Sequence, residues 1–249
     1  MTTVSDPDLY LRVNTADNGR LTAGTRPAWL DGVKDPTLPG TTLTHAMSPD
    51  IKVLRSSGST LSTTPDFLAF ASLKDFASDL NTVDTLGTNQ LFVEVHNRGQ
   101  QVSGDKVNVL LLLADGSVPP PALPADFITR IQAADKTAWL GSTGWYFADA
   151  TNPFRALPGT LDSRHPQVVQ YNVDISVVPN SPGKLCAAAF VTTDTDPLST
   201  ANTDVNALVM ADKHTAIRTL DVGTDWRVVL GVVLLIVGVA AVVVIAKDA

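Results

Sequence analysis

The sequence has little of the chemistry that enzymes and metalloproteins usually need. Its 249 residues include one cysteine, Cys186, which excludes an intramolecular disulfide. The four histidines lie far apart, and none has a second ligand at the spacing of a structural zinc site. No G-x-S-x-G nucleophile motif and no glycine-rich phosphate-binding loop is present. We therefore expect no catalytic residue, no cofactor and no enzymatic activity.

Clusters of positive charge are also absent. The chain has 18 Lys and Arg against 25 Asp and Glu, a net charge of −7, and both signs are scattered. Nucleic-acid binding needs clustered Lys and Arg against the phosphates, so nucleic acid is not an expected partner. The first residues show neither the basic stretch nor the apolar stretch of a secretory signal. We therefore expect the folded part to lie in the cytoplasm.

One long apolar run is present, at residues 228–246 (VVLGVVLLIVGVAAVVVIA). As a helix it would span about 28 Å, close to the roughly 30 Å hydrocarbon core of a bilayer. Trp226 and Arg227 precede the run and Lys247 follows it, at the places where bilayer interfaces favour such side chains. The pattern predicts a single-pass transmembrane helix, with residues 223–249 as a tail anchor in the lipid bilayer.

Two features of this run leave alternatives open. Gly231 and Gly238 lie near one helix face, where small residues let two helices approach and form a homo-oligomer. The alternative is that glycine is simply common in transmembrane helices. The run could also be a helix buried inside a large assembly. Arg218 and Arg227 on one side of the run, against Lys247 on the other, favour a cytoplasmic domain by one charge.

The rest of the chain has the patterns of β-strands separated by turns. Residues 168–178 alternate between apolar and polar side chains, whereas residues 107–113 are mostly apolar and predict a strand buried on both faces. Residues 91–97 and 107–113 together predict a hairpin, with its turn at residues 98–105. Residues 49–55 have the same pattern as residues 7–13, since each segment begins with Pro-Asp. Further strands are predicted at residues 184–191 and 216–222.

Two segments break the strand pattern with helical spacing. Residues 64–80 and 125–136 each predict a short amphipathic helix. Residues 117–124 (SVPPPALP) have polyproline character and serve either as a stiff connector or as a docking motif for an aromatic groove. Many strands with few helices predict a mainly β fold, an antiparallel β-sandwich with inserted helices. We expect an N-terminal strand and ordered arm at 1–46, the sandwich at 47–222 and the anchor at 223–249.

The order of these strands resembles a known family. The segments PDLYLRVNTADNG, SPDIKVLR, LFVEVHNRG, VQYNVDISVVP, KLCAAAFVTTDTDP and HTAIRTLDV together resemble an immunoglobulin-like module of bacterial proteins related to the CARDB class. The resemblance covers most of residues 7–222 and departs from the family pattern at 64–86 and 118–137. It implies an immunoglobulin-like sandwich that acts as a spacer or binding domain. It is also associated with exported proteins, which conflicts with a cytoplasmic location.

Two groups of side chains are candidate sites. Asp194, Asp196 and Asp204 crowd one loop, where oxygen ligands could bind calcium, although the spacing fails the EF-hand pattern and solvated turn residues are the alternative. The second group is rich in aromatic residues and is either a partner surface or part of a core. Its members are Trp139, Trp145, Tyr146, Phe154 and Arg155.

These observations predict a non-enzymatic, membrane-anchored adaptor. It would present a β-sandwich at the membrane to a protein partner or a large protein assembly. The alternative is a component of a secreted or particle-borne assembly. In that case the apolar tail would be stowed in a multimer and would insert into a target membrane.

Overall fold

The computed structural model describes residues 6–21, 24–35, 40–54, 63–72, 82–85, 88–179 and 183–223. These residues form a mainly β fold with several sheets and few helices, as the sequence predicts. The strands are β1 (Leu9–Tyr10), β2 (Ile51–Leu54), β3 (Thr82–Asp84), β4 (Thr88–Asn97), β5 (Val102–Ser103), β6 (Asn108–Asp115), β7 (Tyr146–Phe147), β8 (Phe154–Ala156), β9 (Thr160–Leu161), β10 (Gln167–Asp174), β11 (Lys184–Thr192) and β12 (Thr215–Gly223). The helices are α1 (Phe67–Ser72), α2 (Phe127–Gln132) and α3 (Val205–Ala211).

The first sheet is built around β4. Strand β10 pairs with β4 along eight residues, with Val169 opposite Val93. The other edge of β4 is shared by β2 and β1, which lie end to end; Ile51 is opposite Val93 and Tyr10 is opposite His96. All three pairs are antiparallel. The chain therefore completes one edge of this sheet with two separate segments.

The second sheet has the order β3-β12-β11-β6, and β7 and β8 both pair with the remaining edge of β6. Its pairs are antiparallel except for β3 and β12, which run parallel. Strands β5 and β9 form a separate two-stranded ribbon.

The two sheets pack face to face over a shared apolar core. Side chains alternate along a strand, so every second residue of β4 faces the second sheet. The Tyr171 hydroxyl crosses this core and donates to the carbonyl of Val109 at 2.7 Å. The core includes Leu91, Val93 and Val95 of β4, Val109, Leu111 and Leu113 of β6, and Leu185, Ala187 and Ala189 of β11. This packing is consistent with a β-sandwich.

A second core covers the outer face of the second sheet. The alternate side chains of β6 and β11, such as Leu112 and Phe190, pack there against α2, α3 and Trp145. Helix α3 begins at Val205 because the Asp204 side chain accepts hydrogen bonds from the amides of Asn206 and Ala207. The helices thus form a third layer, which explains why β6 is apolar on both faces.

A third, smaller apolar cluster lies on the outer face of the first sheet. Phe70 of α1 packs there against Phe92 and Val168. The Lys52 side chain is buried beneath this helix, where its ammonium donates to the carbonyl of Phe70 at 3.0 Å and lies 4.5 Å from the ring centre.

Several local predictions are confirmed, and one is wrong. Strands β6, β11 and β12 lie where the sequence placed them, and α2 lies within the predicted helix at 125–136. The strand predicted at 168–178 is confirmed only up to Asp174, where β10 ends and a 3-10 turn at Ile175–Val177 follows. The predicted hairpin of residues 91–97 and 107–113 is wrong, because β4 and β6 belong to different sheets. Strand β5 and a 3-10 turn at Gly104–Lys106 carry the chain from one sheet to the other. Helix α1 occupies part of the helix predicted at 64–80, of which residues 73–80 lie outside the described residues.

The predicted anchor is not part of the described structure. Residues 224–249, which include Trp226, Arg227, Gly231, Gly238 and Lys247, lie outside the described residues. Among the described residues, no helix combines the length and the apolar character needed to cross a bilayer.

Removing a leucine side chain from the third layer should destabilise the fold. Leu208 of α3 is fully buried in the second core, so Leu208→Ala should lower the free energy of unfolding by about 3 kcal/mol. Leu68 of α1 is 66% exposed, so the matched change Leu68→Ala should cost less than about 0.5 kcal/mol. Urea denaturation of both variants measures this difference. Equal losses in the two variants would contradict the packing described for α3.

Candidate functional site

A cluster of charged side chains lies on the outer face of the first sheet, where β1, β2 and β4 meet. Glu94 and His96 are two residues apart on β4, so strand alternation places both on this face. Asp50 directly precedes β2, and Arg12 follows β1 by two residues. Three elements that are distant in the sequence therefore bring these four side chains together.

The charged atoms of these four side chains lie close to one another. His96 Nε2 lies 3.2 Å from both Asp50 Oδ1 and Glu94 Oε2. The Arg12 Nη2 atom contacts the same two carboxylate oxygens, at 3.1 Å for Glu94. The Arg12 backbone amide also donates to Asp50 Oδ2 at 2.6 Å. The Asp50 side chain is fully buried, whereas that of Arg12 is 28% exposed.

The charges in this cluster shift each other's pKa values. Burial raises the pKa of Asp50, but the charges of Arg12 and His96 outweigh burial and hold the pKa well below its usual range. Burial lowers the pKa of His96, but the charge of Asp50 and the hydrogen bonds with Asp50 and Glu94 outweigh it and raise the pKa to about 9. Two cationic groups, Arg12 and protonated His96, therefore face two carboxyl groups.

A second histidine cluster lies beside the start of β12. His214 Nδ1 is 2.6 Å from Asp212 Oδ1, and His214 Nε2 is 3.1 Å from Asp196 Oδ1. Burial lowers the pKa of His214, but hydrogen bonds with Asp196 and Asp212 and their charges outweigh burial and raise it. Lys213 Nζ joins this cluster to the N-terminal segment, because it lies 2.8 Å from Asp196 and 2.7 Å from Asp8.

Strand β1 is held between the two clusters. The Tyr10 ring stacks on His96 with centroids 5.0 Å apart, and the Arg98 guanidinium lies 4.7 Å from the Tyr10 ring centre. Gly19, at φ 73°, passes so close that a Cβ there would lie 2.1 Å from the Tyr10 ring. The segment is therefore fixed by charge and aromatic contacts on both sides.

The aspartates of the proposed calcium loop do not converge on one point. Asp194 is exposed, Asp196 is paired with Lys213 and His214, and Asp204 caps α3. Within the described part of the chain, the group whose ligand atoms converge is instead Asp50, Glu94 and His96. Sequence reasoning missed this group; the signals were the paired Pro-Asp segments and the Glu-x-His spacing on β4.

The aromatic candidates divide between core and surface. Trp145 and Phe154 are buried in the second core, and the Trp145 indole donates to the carbonyl of Pro121 at 2.7 Å. The polyproline segment therefore docks on an aromatic side chain of its own chain. Trp139 and Tyr146 are half-buried. Arg155 pairs with Asp149 at 2.6 Å and lies over the Tyr171 ring.

An apolar pocket opens beside these aromatic residues. Its volume is about 230 Å³. It lies at β7, next to the edge of the second sheet, and combines aromatic with small side chains. The lining residues are Ala138, Leu140, Gly141, Trp145, Tyr146, Phe147, Ala150 and Val177.

Comparison with known proteins gives no family assignment. No protein-family model matches the chain, and no curated protein is significantly similar to it. The resemblance to the CARDB class therefore remains a prediction.

The stability contributed by His214 should depend on pH. A histidine whose pKa is raised by folding stabilises the fold while it is protonated, and this contribution is lost as the pH rises through the raised value. The parent should therefore be more stable than His214→Gln near pH 6, and the difference should shrink as the pH rises above about 6.5.

Urea denaturation of the parent and of His214→Gln across this pH range measures the effect. His165→Gln, on a side chain that is 58% exposed, controls for the loss of an imidazole. A stability difference for His214→Gln that stays constant with pH would contradict the ion pairs described for this residue.

Proposed function

We propose that this chain is a non-enzymatic adaptor held at a membrane. Residues 228–246 would form the anchor. Residues up to 222 would form an immunoglobulin-like β-sandwich, of the kind that the CARDB resemblance implies, on the cytoplasmic side. The module would present the apolar pocket at β7 to a protein partner or to a large protein assembly.

The observation that carries this proposal is the apolar pocket beside Tyr146. A pocket lined by Trp, Tyr and Phe beside small side chains can accept an apolar anchor from a partner, and such anchors dominate binding energy at interfaces. The backbone of β7 pairs with β6 on one side, so an extended segment of a partner could add to this part of the sheet.

Anchoring allows a modest pocket to support binding to a partner. A protein held at a membrane meets partners at the same surface at a raised effective concentration. A small interface is then sufficient for stable engagement. The long apolar run and the small pocket are thus compatible parts of one adaptor.

The anchor is tested by cell fractionation. Deleting residues 228–249 should release the folded protein from the membrane fraction, and circular dichroism checks that the fold is retained. The point variant Val237→Arg should also weaken anchoring, because a charge at the helix centre costs about 2.5–3.5 kcal/mol on insertion. Val237→Leu is the matched control. Full-length protein that forms a soluble particle without detergent would overturn the anchor and favour a tail stowed in a multimer.

The pocket is tested by photocrosslinking in the cells that naturally produce the protein. A photoreactive phenylalanine analogue at Ala150, which is exposed and lines the pocket, should give a discrete adduct of higher mass. The same analogue at Ala201, which is exposed and is not among the pocket-lining residues, should not. No adduct at either position, or the same adducts at both, would count against this pocket as the partner site.

A further inference from the structure

One ligand atom from each of Asp50, Glu94 and His96 lies within 4.8 Å of the other two, and the two separations from the histidine match those of a metal coordination shell. Ligands about 2.1 Å from an ion, at angles of 90–109°, are separated from one another by roughly 3.0–3.4 Å. His96 Nε2 lies 3.2 Å from both Asp50 Oδ1 and Glu94 Oε2. Both carboxylates therefore meet the same nitrogen at the separation that a shared ion requires.

The second histidine cluster has a different geometry. In that cluster Asp212 contacts Nδ1 of His214, while Asp196 contacts Nε2 on the opposite side of the ring. One ion cannot bind both carboxylates and the imidazole in that geometry. Convergence on a single nitrogen thus distinguishes His96 from His214.

A cation already lies against the converging oxygens. Arg12 Nη2 contacts Asp50 Oδ1 and Glu94 Oε2, the two atoms that face His96 Nε2. The Arg12 side chain is 28% exposed, whereas the Asp50, Glu94 and His96 side chains are 0%, 6% and 12% exposed. Arg12 is therefore the most exposed of the four side chains and the one that can turn toward solvent.

We propose that Asp50, Glu94 and His96 form a site for a first-row divalent transition metal, which displaces the Arg12 guanidinium on binding. One imidazole nitrogen and two carboxylate oxygens suit zinc, cobalt or nickel. Calcium is a poor fit because it takes six to eight oxygen ligands. On binding, the metal takes Nε2 of His96, whose proton passes to solvent, and Arg12 loses its side-chain hold on β4.

The test compares the affinity for Co²⁺ of the parent and of variants that remove the competing cation. Arg12→Met should bind one Co²⁺ per chain at least tenfold more tightly than the parent, as measured by titration calorimetry and by the visible absorption of bound cobalt. Adding His96→Gln to Arg12→Met should weaken binding at least tenfold. Adding His165→Gln, which removes an exposed imidazole near Asp162, should leave the affinity unchanged.

Arg12→Gln provides a second route if Arg12→Met fails to fold, because it removes the charge but keeps a hydrogen-bond donor. Circular dichroism of each variant establishes the fold. The proposal is overturned if the folded variant gains no affinity over the parent, or if its Co²⁺ binding survives His96→Gln. The residues of this site are not among those of the proposed anchor segment or those that line the pocket at β7, so either result leaves the adaptor proposal to be judged by its own experiments.

Discussion

The pairing of β1 and β2 with one edge of β4 depends on the interactions of the buried Asp50 carboxylate. A charge without access to water is costly unless it is paired and hydrogen-bonded, so its partners have to be in place. Asp50 binds the backbone amide and guanidinium of Arg12, 38 residues earlier in the chain, and the imidazole of His96 on β4. It thereby closes the gap where β1 ends and β2 begins on the same edge of β4. The same convergence of charges makes the cluster a candidate metal site.

The second constraint is that both faces of the second sheet are apolar, so each face has to pack against another part of the chain. Strands β6 and β11 are apolar on both sides, and one side is satisfied by the first sheet. Helices α2 and α3, with Trp145, cover the other side. The core beneath this third layer buries Trp145 and Phe154, two of the aromatic residues in the segment around residues 139–154. The part left at the surface is the pocket beside Tyr146, which is where the adaptor proposal places the partner.

The His214 cluster and the last described residue of the chain, Gly223, lie at opposite ends of strand β12. Strand β12 begins at Thr215, beside that cluster, and ends at Gly223, eight residues later, a distance of about 26 Å for an extended strand. The chain enters the proposed anchor segment directly after that end. The His214 cluster therefore lies about a strand length away from Gly223, the residue that leads into the proposed anchor segment.

The sequence by itself determined the mainly β class, the strands β6, β10, β11 and β12, and helix α2, because apolar periodicity is a local property of the chain. Only the tertiary structure decided that β4 and β6 belong to different sheets, because the sequence patterns of the two strands fit a hairpin as well as they fit two separate sheets. It also decided that the ligand atoms of Asp194, Asp196 and Asp204 do not converge, while those of Asp50, Glu94 and His96 do. Strand pairing between distant segments sets which polar side chains meet. That register depends on the packing of whole sheets, which short-range sequence patterns do not encode.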